Sequence, residues 1–81
     1  QALEGKRGKD YKTLLQEYVQ RDGDKHIVYR LLSESGPDHA KTFHMVVEIN
    51  GVIYEAGSGK SKKIAEQHAA QLTLEKLMAD K

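Results

Sequence analysis

Eighty-one residues, 38% hydrophobic and 31% charged, suffice for one small domain with a single two-layer core. That size excludes, within this chain, a doubly wound nucleotide-binding fold, an α/β barrel or a self-contained enzyme with a deep cleft. Thirteen Lys and Arg against 12 Asp and Glu leave a formal net charge of +1, so the placement of the basic groups, rather than their sum, has to indicate partners.

Cysteine is absent from the sequence, which rules out disulfide scaffolds and thiolate zinc sites and is compatible with a reducing cytoplasm. No apolar run approaches the ~18 residues of a membrane span, and no signal peptide is visible. Residues 1–9, QALEGKRGK, are poor in apolar side chains and carry two glycines. They read as a linker or the end of a preceding segment.

Asp10 is placed to cap a helix with its carboxylate. From there YKTLLQEYVQ sets Tyr11, Leu14, Leu15, Tyr18 and Val19 on one face at helical spacing, and Asp22-Gly23 ends the helix. Residues 26–33, HIVYRLLS, alternate as a strand with Ile27, Tyr29 and Leu31 on one face. A loop, SESGPDHA, follows and holds the single proline. FHMVVEI then alternates at period two, with Phe43, Met45, Val47 and Ile49 buried. Asn50-Gly51 is a strong hairpin signal, because a tight two-residue turn needs positive φ at both positions. VIYEA returns as a third strand, and Gly57-Ser58-Gly59 is expected to break the sheet. Ser61 caps a long second helix whose buried stripe is Ala65, Ala69, Thr73 and Leu77, with Leu74 beside it. The fold class is α+β in the order α-β-β-β-α: three antiparallel strands with both helices packed on one face.

Gly57-Ser58-Gly59-Lys60-Ser61 ends in the letters of a phosphate-binding loop, but Tyr54 stands where the first glycine of that loop belongs. A dinucleotide fingerprint fails as well, since Lys62 occupies its third glycine. Nucleotide hydrolysis is therefore set aside. The lysines behind the loop are more informative. Lys60, Lys62 and Lys63 crowd the first turn of the second helix, where the helix dipole disfavours cations by about 0.3–1 kcal/mol each. A solvated charged face explains lysines in general, but not lysines at this end. Backbone amides, dipole and ammonium groups together suit a polyanion.

On the first helix, Thr13, Gln16, Glu17 and Gln20 form a polar stripe at i, i+3, i+4 and i+7. Taken alone it is an exposed helix face; its donors and acceptors also suit sugar hydroxyls and base edges in a shallow groove. Four histidines, His26, His39, His44 and His68, show no metal-ligand spacing. His39 follows Gly36-Pro37 in a loop from which an imidazole can reach a groove, whereas His68 belongs to the outer flank of the second helix. No nucleophile elbow and no carboxylate cluster for magnesium is found, so the chain is read as non-catalytic.

These residues carry a family likeness. LLQEYVQ, Tyr29-x-Leu31, the Gly36–His39 loop, Phe43-x-x-x-Val47, GSGKSKKIAEQHAA at 57–70, and Leu74 and Leu77 resemble a double-stranded RNA-binding domain from Asp10 to Leu77. More narrowly, DYKTLLQEYVQ and AEQHAAQ look like the C-terminal domain of a bacterial ribonuclease III. Residues 1–9 would then be the linker from a nuclease domain, and residues 10–79 the RNA-binding domain. The resemblance implies the same α-β-β-β-α fold and three RNA-contacting regions. Thr13, Gln16 and Glu17, with Gln20 on the same stripe, match the helix that enters one minor groove. Pro37 and His39 match the loop that enters the next. Lys62 and Lys63 match the lysines that bridge phosphates across the intervening major groove, with Lys60 flanking them and Ser61 as cap. Domains of this class span about 16 base pairs and read shape and 2′-hydroxyls.

Further implications concern the parent: a cytoplasmic endonuclease, a hydrolase acting in rRNA and mRNA processing. Its magnesium belongs to the nuclease domain, with no cofactor in this chain. The partner is double-stranded RNA, with no membrane; the isolated domain is expected to be a monomer and the parent a homodimer through its nuclease domain. Two positions depart from the family pattern. Glu66 stands where many members have a third basic residue, a change that works against phosphate attraction, although ribonuclease III versions often carry an acid there. Thr73 replaces a usual alanine, and its hydroxyl is expected to bond back to a carbonyl one turn earlier. Two alternatives stay open. One is a protein-interaction module of the same fold, favoured only by Ile64 and Leu72, expected near the surface of the second helix. The other is the RNA-binding module of a different RNA-processing protein.

Overall fold

The first helix begins where its cap residue can satisfy a free amide. The Asp10 carboxylate accepts from the Thr13 N–H at 3.2 Å, and the backbone carbonyl of Asp10 accepts from Leu14 N–H at 3.0 Å. The computed structural model describes residues 10–21 and 23–79; the linker expected at residues 1–9 lies outside them. Helix α1 spans Tyr11–Gln20 and is followed by strand β1, Ile27–Ser35. A single 3-10 turn at Asp38–Ala40 leads to β2, Thr42–Ile49, then β3, Val52–Gly59, and helix α2, Lys62–Ala79. Asp22 is outside the described residues, but Gly23, at φ +118°, turns the chain away after α1, as the Asp-Gly pair predicts.

The three strands form one antiparallel sheet in the order β1-β2-β3. Asn50 and Gly51 join β2 to β3 with φ of 50° and 84°, the positive pair that the sequence requires for a two-residue turn. Helix α2 lies across β2 and β3 and carries α1 along its side. Leu15 and Val19 from α1, Val47 and Ile49 from β2, and Ala69 and Ala70 from α2 make the buried core. Alanine there is a matter of distance: a helix with small side chains can settle close to a sheet.

That close approach overturns one expectation. Gly57, Ser58 and Gly59 do not break the sheet; they continue β3, opposite Met45, His44 and Phe43 of β2. A Cβ built on Gly57 would meet the backbone of α2, with the His68 carbonyl carbon at 2.6 Å and the Ala69 Cα at 2.8 Å. One on Gly59 would meet the Ile64 Cβ at 2.8 Å. The glycines are there because α2 occupies the space of their side chains.

Two residues assigned to the core face are exposed, Leu14 at 39% and Leu31 at 42%. Leu31 pairs with the buried Met45, yet β1 is an edge strand lying beyond the cover of α2. Leu14 flanks the core-facing residues of α1 and lines a shallow strip with Tyr18, Leu74 and Met78. Phe43 is half-buried rather than fully enclosed, and Leu72, expected near the surface, is half-buried as well. Ile64 is exposed as expected, at 53%.

The other correction concerns Thr73, which is fully buried. Between Val46 and Glu48 the register with β3 shifts from Ala56 to Ile53, so Tyr54 and Glu55 together oppose Val47. Such a bulge takes a backbone group out of the ladder. The Thr73 hydroxyl accepts from the Glu55 N–H at 3.2 Å; the contact runs to the sheet instead of to the preceding helical turn. Replacing Thr73 with Val keeps the branched shape and strips the bulge of its acceptor. The expected loss is about 1–3 kcal/mol, the cost of an unsatisfied buried amide, read as a lower urea midpoint at unchanged m-value. A shift worth less than about 0.3 kcal/mol would contradict this role.

Candidate nucleic-acid interface

Three surface regions carry the polar residues singled out by the sequence. The first is α1. Thr13, Gln16 and Glu17 are exposed and Gln20 half-buried on one side of this helix. Two of the four are engaged within the fold. The Thr13 hydroxyl donates to Asp10 Oδ2 at 2.8 Å. The Gln20 amide clasps the backbone of Lys25, donating to its carbonyl at 2.8 Å and accepting from its N–H at 3.1 Å. Gln16 and Glu17 keep their polar ends outward. Gln16 shares a concavity with Lys12, Gln20, Lys25 and Tyr29.

The second region is the β1–β2 connection. Gly36 sits at φ +91°, where a Cβ would lie 2.6 Å from the Ala40 carbonyl oxygen. Pro37 accepts from the Ala40 N–H at 2.9 Å, which closes the 3-10 turn. His39 is thereby held on a short, stiff tip with Pro37 and Asp38, all exposed. Lys41 and Glu34 pair at 3.1 Å across the base of this loop.

The third region is the start of α2. The Ser61 hydroxyl accepts from the Ile64 N–H at 3.1 Å, confirming the cap and committing that hydroxyl to the helix. Lys60, Lys62 and Lys63 are exposed around it. Among the described residues, no carboxylate lies within ion-pairing distance of these three ammonium groups. Tertiary structure brings the second and third regions together: His39 and Lys60 line one shallow depression with Asp38, Ala40, Lys41 and Phe43. Pairing of Phe43 with Gly59 places the end of β3, and hence Lys60, beside the loop.

Glu66, the acid one turn after Lys62, does not face the lysines alone. Its carboxylate pairs with Lys12 of α1 at 2.6 Å, and the Lys12 ammonium also stands 4.9 Å from the centre of the Tyr29 ring. Beside it, the Gln67 amide accepts from the Tyr11 N–H at 2.7 Å and donates to Asp10 Oδ1 at 2.9 Å. Hydrogen bonds from Gln67 and then Thr13 lower the Asp10 carboxyl from the ordinary 3.8 to about 2. Burial, with the nearby charges of Glu66 and Asp10, raises the Tyr29 phenol to about 12, so it stays a neutral donor under physiological conditions. None of these cross-helix contacts has a local sequence signal, because the partners lie 54–57 positions apart.

His68 is exposed on α2, and its Nδ1 lies 3.1 Å from the N of Ser58, covering part of the outer edge of β3. Among the described residues, no group of three His, Cys, Asp or Glu is arranged to hold a metal ion. No described helix is long and apolar enough to cross a membrane.

Comparison with known proteins agrees with this geometry. The family model for the double-stranded RNA binding motif matches residues 11–77. Over 71 residues the chain is 52% identical to ribonuclease 3 of Streptococcus pyogenes serotype M3 (strain SSI-1), and equally to that of serotype M1. The match takes in 88% of this chain but 31% of those relatives, so the chain spans under a third of their length. Among solved structures, the second double-stranded RNA-binding domain of DRB4 is 37% identical with a TM-score of 0.59, covering 84% of this chain and 94% of that one. A two-domain structure of DRB4 gives 35% identity and a TM-score of 0.64, covering 93% and 50%. With the α-β-β-β-α order, the rigid glycine loop and the unpaired lysine cluster in place, the chain belongs to the double-stranded RNA binding motif family.

Proposed function

We propose that this chain binds A-form double-stranded RNA through phosphate and 2′-hydroxyl contacts and presents it to a nuclease domain of the ribonuclease III kind. One observation carries the reading. Lys62 and Lys63 in the first turn of α2, where they oppose the helix dipole, and Lys60 just before its cap are exposed and have no carboxylate partner among the described residues, on a chain of the double-stranded RNA binding motif family. Lys62 and Lys63 attract phosphates of any duplex. Gln16 and Glu17 on α1, and His39 on the loop tip, supply groups of the kind that contact hydroxyls and base edges in a wide, shallow minor groove. Thr13, Gln20 and Ser61 act more indirectly, through Asp10, the Lys25 backbone and the α2 cap.

The likeness to ribonuclease 3 supports a parent that cleaves RNA in the cytoplasm, on ribosomal and messenger precursors, as a dimer assembled through its nuclease domain. Magnesium would act in that domain. The described residues of this chain bring no carboxylate cluster together for it.

Discrimination between RNA and DNA belongs to α1 and the loop, because the lysines read only phosphate. Truncating Gln16 and His39 to Ala should cost about 0.5–1.5 kcal/mol of RNA affinity per lost neutral hydrogen bond and leave residual DNA binding nearly unchanged. The measurement is a paired titration of matched RNA and DNA duplexes at one salt concentration. Equal losses on both would refute the groove-reading roles.

A further inference from the structure

Two RNA-facing regions sit on different helices, and one side chain joins them. Gln67 lies one turn after Lys63 on α2, and both ends of its amide are taken up by the start of α1. Oε1 accepts from the Tyr11 N–H at 2.7 Å, and Nε2 donates to Asp10 Oδ1 at 2.9 Å. The Lys12–Glu66 pair stands beside it at 2.6 Å. Apolar packing alone tolerates small slides and rotations, whereas two opposed hydrogen bonds from one planar amide are directional and fix both. The fully buried residues of α1, Leu15 and Val19, belong to its later turns; in the first turn the half-buried Tyr11 packs against the core, and the polar clasp adds the directional contacts that packing lacks.

We propose that Gln67 is a positioning residue for duplex recognition. It holds the first turn of α1 in register with the first turn of α2, so that Gln16 and the Lys62–Lys63 pair engage one RNA duplex together. Half-buried, with both the oxygen and the nitrogen of its amide bonded to the start of α1, Gln67 acts through α1 and not by touching RNA. This inference rests on the reading of the chain as a double-stranded RNA binder.

The fold does not depend on the clasp for its cap. In Gln67→Ala, the Asp10 carboxylate still accepts from the Thr13 backbone and hydroxyl, and α2 keeps its alanine face. The test titrates wild type, Q67A, Q16A and Q16A/Q67A with RNA and DNA duplexes of one length, at two salt concentrations. Q67A should weaken RNA binding about tenfold and DNA binding by less than about twofold, with the salt slope unchanged because the lysines are intact. Q16A should add little in the Q67A background, since a displaced α1 no longer delivers that side chain. A merely structural role would lower the active fraction and scale RNA and DNA binding alike, leaving their ratio fixed.

Equal losses on the two duplexes, or a full Q16A effect in folded Q67A, would overturn the proposal. Gln67→Glu is the second variant should Q67A fail to fold. It keeps the acceptor for Tyr11 and sets a carboxylate against Asp10, and the same fall in RNA-to-DNA ratio is expected. If wild type itself prefers neither duplex, the reading of function fails first, and the positioning role falls with it.

Discussion

Replacing Lys62 and Lys63 together with Ala is expected to flatten the salt dependence of duplex binding by about two units on a log–log plot, one for each lost phosphate contact. RNA and DNA lose affinity in parallel, because phosphate carries no information about the sugar. The substitution is expected to leave folding intact and to stabilise it slightly. Both ammonium groups are exposed and unpaired among the described residues, and removing cations from a helix N-terminus relieves about 0.3–1 kcal/mol each. Stability and binding therefore move in opposite directions. An unchanged salt slope in a folded double variant would place the phosphate contacts elsewhere.

The Lys12–Glu66 pair bears on the same expectation. An acid one turn after Lys62 was expected to weaken phosphate attraction. In the fold its charge is countered at 2.6 Å by Lys12, so the field at the start of α2 is more favourable to anions than the sequence of α2 alone indicates. At this range the partner across the helix interface matters more than the neighbour along the chain.

Gly57→Ala is expected to be the most damaging single substitution in the domain. The added Cβ would enter the backbone of α2, 2.6 Å from the His68 carbonyl carbon and 2.8 Å from the Ala69 Cα. Backbone in a packed helix cannot step aside as a flexible side chain can, so α2 must lift from β3. Overpacking of this kind costs about 1–3 kcal/mol or more, against a total of roughly 5 kcal/mol for a domain of this size. Lifting α2 also displaces Lys62, Lys63 and Gln67, so RNA affinity falls with stability. Gly51→Ala is the contrasting case. Nothing lies within 4 Å of its added Cβ, and only the strain of φ +84° opposes it. Thermal or urea unfolding of the two variants should show a clearly larger loss for Gly57→Ala. Because the φ of Gly57 is not positive, equal losses would mean that α2 accommodates the added Cβ and that helix–sheet contact does not require glycine at 57.

The elements and their order were legible in the chain because each announces itself locally. Asp10 and Ser61 cap the turns that follow them, Asn50-Gly51 supplies positive φ for the hairpin, and the alanines recur at the helical period. The candidate interface was legible for the same reason: lysines at the wrong end of a helix contradict a local electrostatic rule, and the contradiction is visible without coordinates. Gly36-Pro37 likewise marks a stiff loop tip by its turn chemistry. What lay beyond the sequence depends on how close two distant elements come. Gly57 and Gly59 read as breakers along the chain and prove to be contact points, because only the approach of α2 decides between those meanings. Thr73 finds its partner at a bulge whose position depends on the pairing of β2 with β3. Leu14 and Leu31 follow the apolar period but fall outside the area that α2 and the sheet can cover. Gln67 meets Asp10 and Tyr11 across more than fifty residues, and such contacts follow from the docking of whole faces, which hydrophobic burial drives without choosing individual partners.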